Sequence, residues 1–248
     1  MNAAQALAVG PTTADVVREY LAHRWYLVPI PRGTKGPTTP GWNLPENAIY
    51  KPEHAARCTG NVGLLHVLSR TCALDVDDLP RALDWCSARG VDLVALLAAD
   101  DAVQISSGRQ NRAKILYRVP DYADPRELIT RRIADGAFEL RCASRDGASV
   151  QDVLPPSIHP DTGQPYTWAG AGDWRNLPVL PDALLNLWRA INAEGARPRA
   201  AVTTTTTDSA IPQGARNATL TSLAGTMRRR GMSPDAIEAA LIAENVRC

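Results

Sequence analysis

The stretch Ala73-Leu74-Asp75-Val76-Asp77-Asp78 is an apolar run that ends in carboxylates. Because the side chains of a strand alternate between its two faces, Asp75 and Asp77 share one face. Leu74 and Val76 then point to the opposite face, into a core. Two acids on one face repel each other unless a cation lies between them, and such oxygen ligands suit Mg²⁺ or Mn²⁺. The pattern predicts a metal site, and an exposed strand end with turn-forming aspartates is the alternative.

A third carboxylate, Glu139, lies in a similar apolar run, Ala137-Phe138-Glu139-Leu140-Arg141. Alternation places Phe138 and Leu140 in the core, and it places Glu139 and Arg141 on the wetter face. If this strand is a neighbour of the Asp75 strand, three carboxylates converge. Two-metal catalysis of phosphoryl transfer requires such a group. Taken alone, Glu139 and Arg141 are equally consistent with an ordinary surface pair.

Two loops carry candidate phosphate-binding residues. In the loop from Ser106 to Lys114, small residues such as Ser107 let backbone amides approach a phosphate, while Arg112 and Lys114 supply charge-assisted bonds. Lys35 lies in a second, glycine-containing loop, which is not a P-loop because the spacing and the following helix are missing. For both loops the alternative is a solvated turn.

The segment Pro155-Pro156-Ser157-Ile158-His159-Pro160 predicts a stiff loop. Such a loop is a candidate shelf for the sugar or base of a nucleotide, with Ser157 and His159 as hydrogen-bonding groups. A structural role for the histidine is the alternative. No zinc site is expected, because the spacings of Cys and His match no common ligand pattern.

Charge is unevenly distributed although the chain of 248 residues carries a formal net charge of only +1. Residues 72–101 hold seven acidic and two basic side chains, whereas residues 103–118 hold four basic and no acidic ones. An acidic block followed by a basic one suits a site that holds metal ions and phosphates together. Two solvated faces that neutralise each other are the alternative.

The composition, with 45% hydrophobic residues, excludes disordered, collagen-like and coiled-coil classes.

The cysteine pattern and the hydropathy of the sequence indicate in which cellular compartment the protein acts. The five cysteines form no C-x-x-C pair, and the N-terminus has no basic region followed by an apolar run. Both features indicate a reducing, cytoplasmic compartment. The longest apolar windows, such as Leu93 to Ala99, are too short to span a bilayer, so no membrane partner is expected.

Strand and helix patterns are interspersed along residues 1–195, which predicts a mixed α/β (α+β) catalytic domain. Strand-like runs are expected to pair as neighbours: residues 61–67 with 71–77, residues 103–107 with 114–119, and residues 137–142 with 149–154 around an Asp-Gly turn. Helices are expected at residues 12–24, with Thr12 or Thr13 as the N-cap, and at residues 79–89, 91–99 and 181–193.

The C-terminal part predicts a separate helical module. Residues 196–212 contain a threonine run and no apolar periodicity, which indicates a linker. Residues 213–248 predict a helical hairpin broken at Gly231, with Ser233 as N-cap. Its basic side chains are candidates for template binding, and a packing module with a solvated face is the equal alternative: Arg216, Arg228, Arg229 and Arg230.

The order of these motifs closely resembles the primase-polymerase domains of phage and plasmid replication proteins, in the archaeo-eukaryotic primase superfamily. The resemblance covers residues 16–188 and rests on six motifs in order: Lys35-Gly36-Pro37 before Gly41-Trp42, Asn61-Val62-Gly63, Leu74 to Asp78, Ser107-Gly108-Arg109, Glu139-Leu140-Arg141, and Pro155 to His159. The segment from Gly214 to Asn245 looks like the primase C-terminal module of phage replicases, after which a helicase domain usually follows. The chain therefore looks like part of a longer polypeptide.

The resemblance implies an RRM-like sheet and template-directed synthesis and extension of primers from dNTP or NTP, with Mg²⁺ or Mn²⁺, on single-stranded DNA. A phage-encoded protein would act in the host cytoplasm. Asp75, Asp77 and Glu139 match the three metal-binding acids of the family. The resemblance places the nucleotide near these residues: Lys35, Asn61, Ser107, Arg112, Lys114, Arg141, Ser157 and His159.

Two positions depart from the family pattern. Lys114 stands where a histidine commonly contacts the incoming triphosphate; a lysine offers a point charge without the directed bonds of an imidazole. Glu139 stands where aspartate is common, which changes reach but not charge. A non-catalytic single-strand-binding module that recruits a helicase is the alternative function, and a D-x-D glycosyltransferase is a more remote one.

Overall fold

The structure is a computed structural model that describes residues 12–196 and 216–246. The chain divides into two compact units, Met1–Ala196 and Arg197–Cys248, each treated by itself below. Most of the predicted linker at 196–212 lies outside the described residues.

The first unit contains two antiparallel sheets, with strand orders β1-β2-β8 and β6-β7-β3-β5-β4-β9. We call them the small sheet and the large sheet. The strands are β1 Leu27–Ile30, β2 Asn61–Leu65, β3 Thr71–Val76, β4 Val103–Ser106, β5 Ala113–Arg118, β6 Arg131–Ile133, β7 Phe138–Arg141, β8 Gln151–Val153 and β9 Thr167–Ala169. The mixed α/β class predicted from the sequence is confirmed.

The α-helices of the first unit are α1 Thr13–Ala22, α2 His66–Ser69, α3 Leu79–Ser87, α4 Leu93–Ala98 and α5 Asp182–Ala196. Helices α3, α4 and α5 contribute to the core on one face of the large sheet, and α1 contributes to the core that the two sheets share. Short 3₁₀ turns lie at Pro45–Asn47, Pro52–Arg57, Pro125–Glu127, Ala134–Gly136 and Trp174–Asn176. The first helix begins at the predicted N-cap, since Thr12 Oγ1 accepts a hydrogen bond from Asp15 N at 3.2 Å.

Strand β3 is an inner strand of the large sheet and has the predicted alternation. Leu74 and Val76 are each 1% exposed and belong to a core that α3 and α5 cover. Ala73, on the other face, belongs to a second core, which also includes Leu116 of β5 and Leu64 of β2. Asp75 shares the face of Ala73, so its side chain points to the side of the large sheet that packs against the small sheet.

Two of the three predicted strand pairs are wrong. The runs at residues 61–67 and 71–77 form β2 and β3, which join different sheets, because helix α2 and Arg70 at φ 52° turn the chain between them. The runs at residues 137–142 and 149–154 meet only where the turn begins, through a bridge from Ala143 to Ser149 and a hydrogen bond from Val150 N to the Cys142 carbonyl, and β7 and β8 then join different sheets. The pair β4–β5 is confirmed.

The second unit contains α6 Arg216–Arg229 and α7 Pro234–Val246, which pack as the predicted helical hairpin. Gly231 has φ 81°, a conformation that glycine adopts without strain. Ser233 Oγ accepts a hydrogen bond from Ala236 N at 3.3 Å, which confirms it as the N-cap of α7. Among the described residues of the chain, no helix combines the length and apolar character needed to cross a membrane.

We expect Leu74→Ala to lower the free energy of unfolding by about 2–5 kcal/mol, because it leaves a cavity behind the strand that carries Asp75. All six tryptophans lie between residues 25 and 188, so tryptophan fluorescence during urea denaturation reports on the first unit. Leu44→Ala is the matched control: Leu44 is 42% exposed, and its loss should cost about 0.5 kcal/mol or less. Equal effects of the two substitutions would contradict the assigned core position of Leu74.

Candidate active site

A pocket of about 250 Å³ lies at the end of β3, between the two sheets. Its wall combines both signs of charge in one small space, with five basic side chains and three acidic ones. They are Lys35, Arg109, Arg112, Lys114 and Arg141, and Asp75, Asp77 and Asp152. The excess of positive charge suits an anionic ligand, and the carboxylates suit a hard cation.

The register of the large sheet positions Asp75 between two charged residues. It stands opposite Lys114 of β5 on one side and opposite Glu139 of β7 on the other. Directly opposed residues share a face of the sheet, so these three side chains start from one surface. The Lys114 Nζ lies 3.1 Å from Asp75 Oδ2. The strands of Asp75 and Glu139 are therefore neighbours, which is the condition that the sequence analysis set for the carboxylates to converge.

Asp77 lies just beyond the end of β3, and the backbone fixes its position. The amides of Asp77 and Asp78 both donate to the carbonyl of Ala137, at 2.8 and 2.9 Å. The Asp77 carboxylate forms an ion pair with Arg112. The Asp78 carboxylate instead accepts from Arg81 N at 3.3 Å and caps helix α3. Of the three acids in this stretch, the first and second therefore face the pocket.

Glu139 is engaged by two arginines beside the pocket. Its side chain is 16% exposed and pairs with Arg132 Nε at 3.0 Å and with Arg141. It is not part of the pocket wall among the residues that the structure describes. Asp75 and Glu139 thus occupy paired positions on neighbouring strands, but their carboxylates form ion pairs with different basic side chains.

Asp152 is a charged residue of the pocket that the sequence reasoning missed. It lies in β8, is 2% exposed, and accepts from Lys114 Nζ at 2.6 Å and from Arg141 Nε at 2.8 Å. Its other oxygen lies 2.8 Å from His66 Nε2. The available signal was a lone carboxylate in the otherwise largely apolar run Val150 to Leu154.

The buried charges shift one another's pKa. Burial alone would raise the pKa of Asp152, but the charges of Arg141 and Lys114 outweigh burial and hold it well below the usual range. Burial opposes the charge on Lys114, yet Asp152 and Asp75 raise its pKa. Burial lowers the pKa of His66 more than Asp152 raises it. The site at neutral pH therefore contains a charged Asp152, a charged Lys114 and a neutral His66.

Five of the predicted nucleotide-binding residues line the pocket: Lys35, Ser107, Arg112, Lys114 and Arg141. A hydrogen bond attaches the loop of Lys35 to β8, since Gln151 Nε2 donates to the carbonyl of Lys35 at 2.9 Å. Arg109 and Tyr166 are further wall residues that we did not predict. Arg109 lies in the predicted basic loop, whereas no sequence signal separated Tyr166 from other aromatic residues.

Asn61, Ser157 and His159 are not part of the described pocket wall. Asn61 binds the backbone of Ile158 in both directions, at 2.8 Å each, and Ser157 Oγ accepts from Val62 N at 2.9 Å. These bonds attach the proline-rich loop to β2. His159 is fully buried, and its Nε2 has no hydrogen-bond partner among the described residues.

The donor set at the pocket fits a divalent cation of the Mg²⁺ type in its chemistry, since Asp75 and Asp77 offer carboxylate oxygens from neighbouring positions on one face. Within residues 12–196 and 216–246, however, no group of three or more His, Cys, Asp or Glu side chains is arranged as a metal cluster. The reason lies in the ion pairs described above, since basic side chains separate the carboxylates.

The template-binding candidates lie in the second unit. Arg216 is occupied within the hairpin, because its Nε and one terminal nitrogen each lie 2.7 Å from Asn245 oxygens. Arg228 and Arg230 are exposed, and Arg228 borders a mostly apolar groove between α6 and α7. The side chain of Arg229 lies outside the described part of the structure.

Comparison with known protein families gives two matches. The family model for bifunctional DNA primase/polymerase, N-terminal, matches residues 17–183, and the model for Primase C terminal 1 (PriCT-1) matches residues 204–247. No curated protein matches the chain. The first match spans more than half of the sequence and contains the whole pocket wall. The chain therefore belongs to the bifunctional DNA primase/polymerase family.

Proposed function

We propose that the pocket at the end of β3 is the catalytic centre of metal-dependent, template-directed nucleotidyl transfer. The substrates are dNTP or NTP and a single-stranded DNA template, and the products are primers and extended primers. The observation that carries this proposal is the juxtaposition of Asp75 and Asp77 with five basic side chains in one cavity. A triphosphate needs the basic side chains, and the cations that accompany it need the carboxylates.

Nucleotidyl transfer joins the 3′-hydroxyl oxygen of a primer to the α-phosphorus of the triphosphate and releases pyrophosphate. In this chain Arg112 and Lys114 would bind phosphate oxygens, and Arg109 and Lys35 line the same pocket. Each of the first two already pairs with a carboxylate, Arg112 with Asp77 and Lys114 with Asp75. Substrate binding would exchange these partners: the bases would turn to phosphates and the carboxylates to metal, which keeps the charge balanced.

Asp75 and Asp77 are the residues that would hold Mg²⁺ or Mn²⁺, with Glu139 as the third carboxylate from the adjacent strand. When bound, the metal supplies a Lewis acid that favours ionisation of the attacking hydroxyl and neutralises the triphosphate. Glu139 pairs with both Arg132 and Arg141, so it would have to exchange at least one of these partners for the metal.

We infer replication of a phage or plasmid as the biological setting, within the host cytoplasm. The succession of a primase/polymerase domain and a PriCT-1 module supports this inference, because the motif order resembles replication proteins of such elements. In this setting the second unit would contact template through Arg228 and Arg230.

We expect Asp75→Asn to lower nucleotide incorporation on a single-stranded template by at least about a hundredfold, since loss of a metal ligand should cost no less than loss of a residue that only supports one. Incorporation of labelled dNTP should also stop on addition of EDTA and resume with excess Mn²⁺ or Mg²⁺. Asp121→Asn is the matched control, because the Asp121 side chain is 86% exposed and forms a surface ion pair with Arg118.

Undiminished incorporation by Asp75→Asn would exclude the proposed catalytic centre. Binding of single strands by the wild-type protein, without incorporation under any metal, would instead favour the non-catalytic binding module.

We expect Lys114→Gln to raise the KM for the nucleotide by about tenfold, because the substitution removes a buried cation near the triphosphate and leaves a hydrogen-bonding side chain. Steady-state kinetics with varied dNTP tests this. Lys51→Gln is the control, since Lys51 is exposed on the surface beside Tyr50. An unchanged KM in Lys114→Gln would show that this lysine has no role in binding phosphate.

We expect the double variant Arg228→Gln/Arg230→Gln to bind single-stranded DNA more weakly. The slope of log affinity against log salt should also fall by about 0.7 for each phosphate that an arginine no longer neutralises. Fluorescence anisotropy with labelled oligothymidylate at several salt concentrations measures both effects. Arg126→Gln/Arg145→Gln, which changes two arginines at the surface of the first unit, serves as the control. If the slope stays the same, Arg228 and Arg230 belong to a solvated packing face.

A further inference from the structure

Asp152 is a buried carboxylate at the junction of the two sheets, and the chemistry proposed above does not use it. It stands on β8 of the small sheet, whereas its partners Lys114 and Arg141 stand on β5 and β7 of the large sheet. On the basis of the proposed function, we propose that Asp152 is a positioning residue of the nucleotide site. It fixes the Lys114 ammonium and the Arg141 guanidinium where they meet the triphosphate.

Hydrogen bonds already engage both carboxylate oxygens of Asp152, so a metal ion there would have to share an oxygen with these partners or displace one of them. Oδ1 accepts from both Lys114 and Arg141, and Oδ2 lies 2.8 Å from His66 Nε2. An ionised carboxylate only accepts, so His66 donates through Nε2, and its Nδ1 accepts from the Thr71 hydroxyl at 2.9 Å. His66 is fully buried, and it holds Asp152 from the side opposite the two cations.

The surroundings of Asp152 argue against a merely stabilising role. Its cross-strand partner is Leu64, and Leu154, two residues further along the chain, is fully buried. A buried ion group is often no more stable than well-packed apolar side chains of similar volume, because desolvation offsets the attraction. The negative charge of Asp152 is therefore best explained by its two cationic partners, Lys114 and Arg141, which it holds at the pocket.

Lys114 shows why such a residue is needed. Its ammonium lies between two carboxylates, 2.6 Å from Asp152 and 3.1 Å from Asp75. If Asp75 turned to a metal ion, a lysine held by Asp75 alone would lose its anchor. Asp152 keeps the ammonium in the pocket during that exchange, and it keeps Arg141 there when Glu139 changes partner. The triphosphate then meets cations that are already oriented.

The test compares wild-type protein with Asp152→Asn, an isosteric change that removes the charge. We expect the Kd of dATP with Mg²⁺, measured by isothermal titration calorimetry without template, to rise by about tenfold or more. In primer extension the KM for dNTP should rise by a similar factor, while kcat at saturating dNTP changes much less. A stability defect alone would lower the active fraction without moving the KM. Asp121→Asn is again the matched surface control.

Two further variants keep the test decisive if Asp152→Asn fails to fold. His66→Gln retains an amide donor toward Asp152, and it should raise the Kd in the same direction by a smaller factor. A double variant that combines Asp152→Asn with Lys114→Gln should change the binding free energy of dATP by less than the sum of the two single effects, because part of the Asp152 effect acts through Lys114. The same holds for His66→Gln in place of Asp152→Asn.

A wild-type Kd in the folded Asp152→Asn protein, or in His66→Gln where the former does not fold, would overturn the positioning role. Fully additive effects would overturn it as well. Failure of the proposed function would give a different result, because the wild-type protein itself would then neither bind dATP nor extend a primer.

Discussion

Asp75 stands between Lys114 and Glu139 on an inner strand of the large sheet, and the rest of the site depends on this arrangement. The Asp75 side chain therefore projects from the same face of the sheet as Lys114 on one side and Glu139 on the other. The sheet supplies the spacing through its hydrogen-bond ladder, so these polar residues need no loop to bring them together. A shift of one residue in either pairing would move the partner to the opposite face and into the apolar core.

The small sheet completes the site from the other side. It contributes Asp152 through β8 and the loop of Lys35 through the end of β1, while Asn61 and Ser157 tie the proline-rich loop to β2. Gly63 of β2 leaves room for this packing, since a Cβ there would lie 2.5 Å from the Gln151 side chain. The pocket is thus an interface between two sheets within one unit, and its charged residues cross that interface.

Local patterns predicted the parts of the structure that depend on local physics. Alternation along β3 placed Leu74 and Asp75 on their correct faces, and the capping residues Thr12 and Ser233 marked where helices begin. The sequence did not reveal which sheet each strand joins, because a short turn such as α2 redirects the chain without a marked signal. For the same reason Asp152 was missed: its importance arises only when β8 pairs with β2 rather than with β7.

Six charged residues at or beside the pocket form one chain of ion pairs with alternating sign, Arg132, Glu139, Arg141, Asp152, Lys114 and Asp75. Arg132 is well exposed, at 71%, whereas the interior members are 2–19% exposed. Dissolved ions screen exposed pairs far more than buried ones. Ionic strength should therefore loosen the Arg132 end and leave the geometry around Asp152 intact. Since Arg132 holds the Glu139 carboxylate, a salt effect on catalysis by this protein would include easier release of Glu139 as well as weaker contact with nucleic acid.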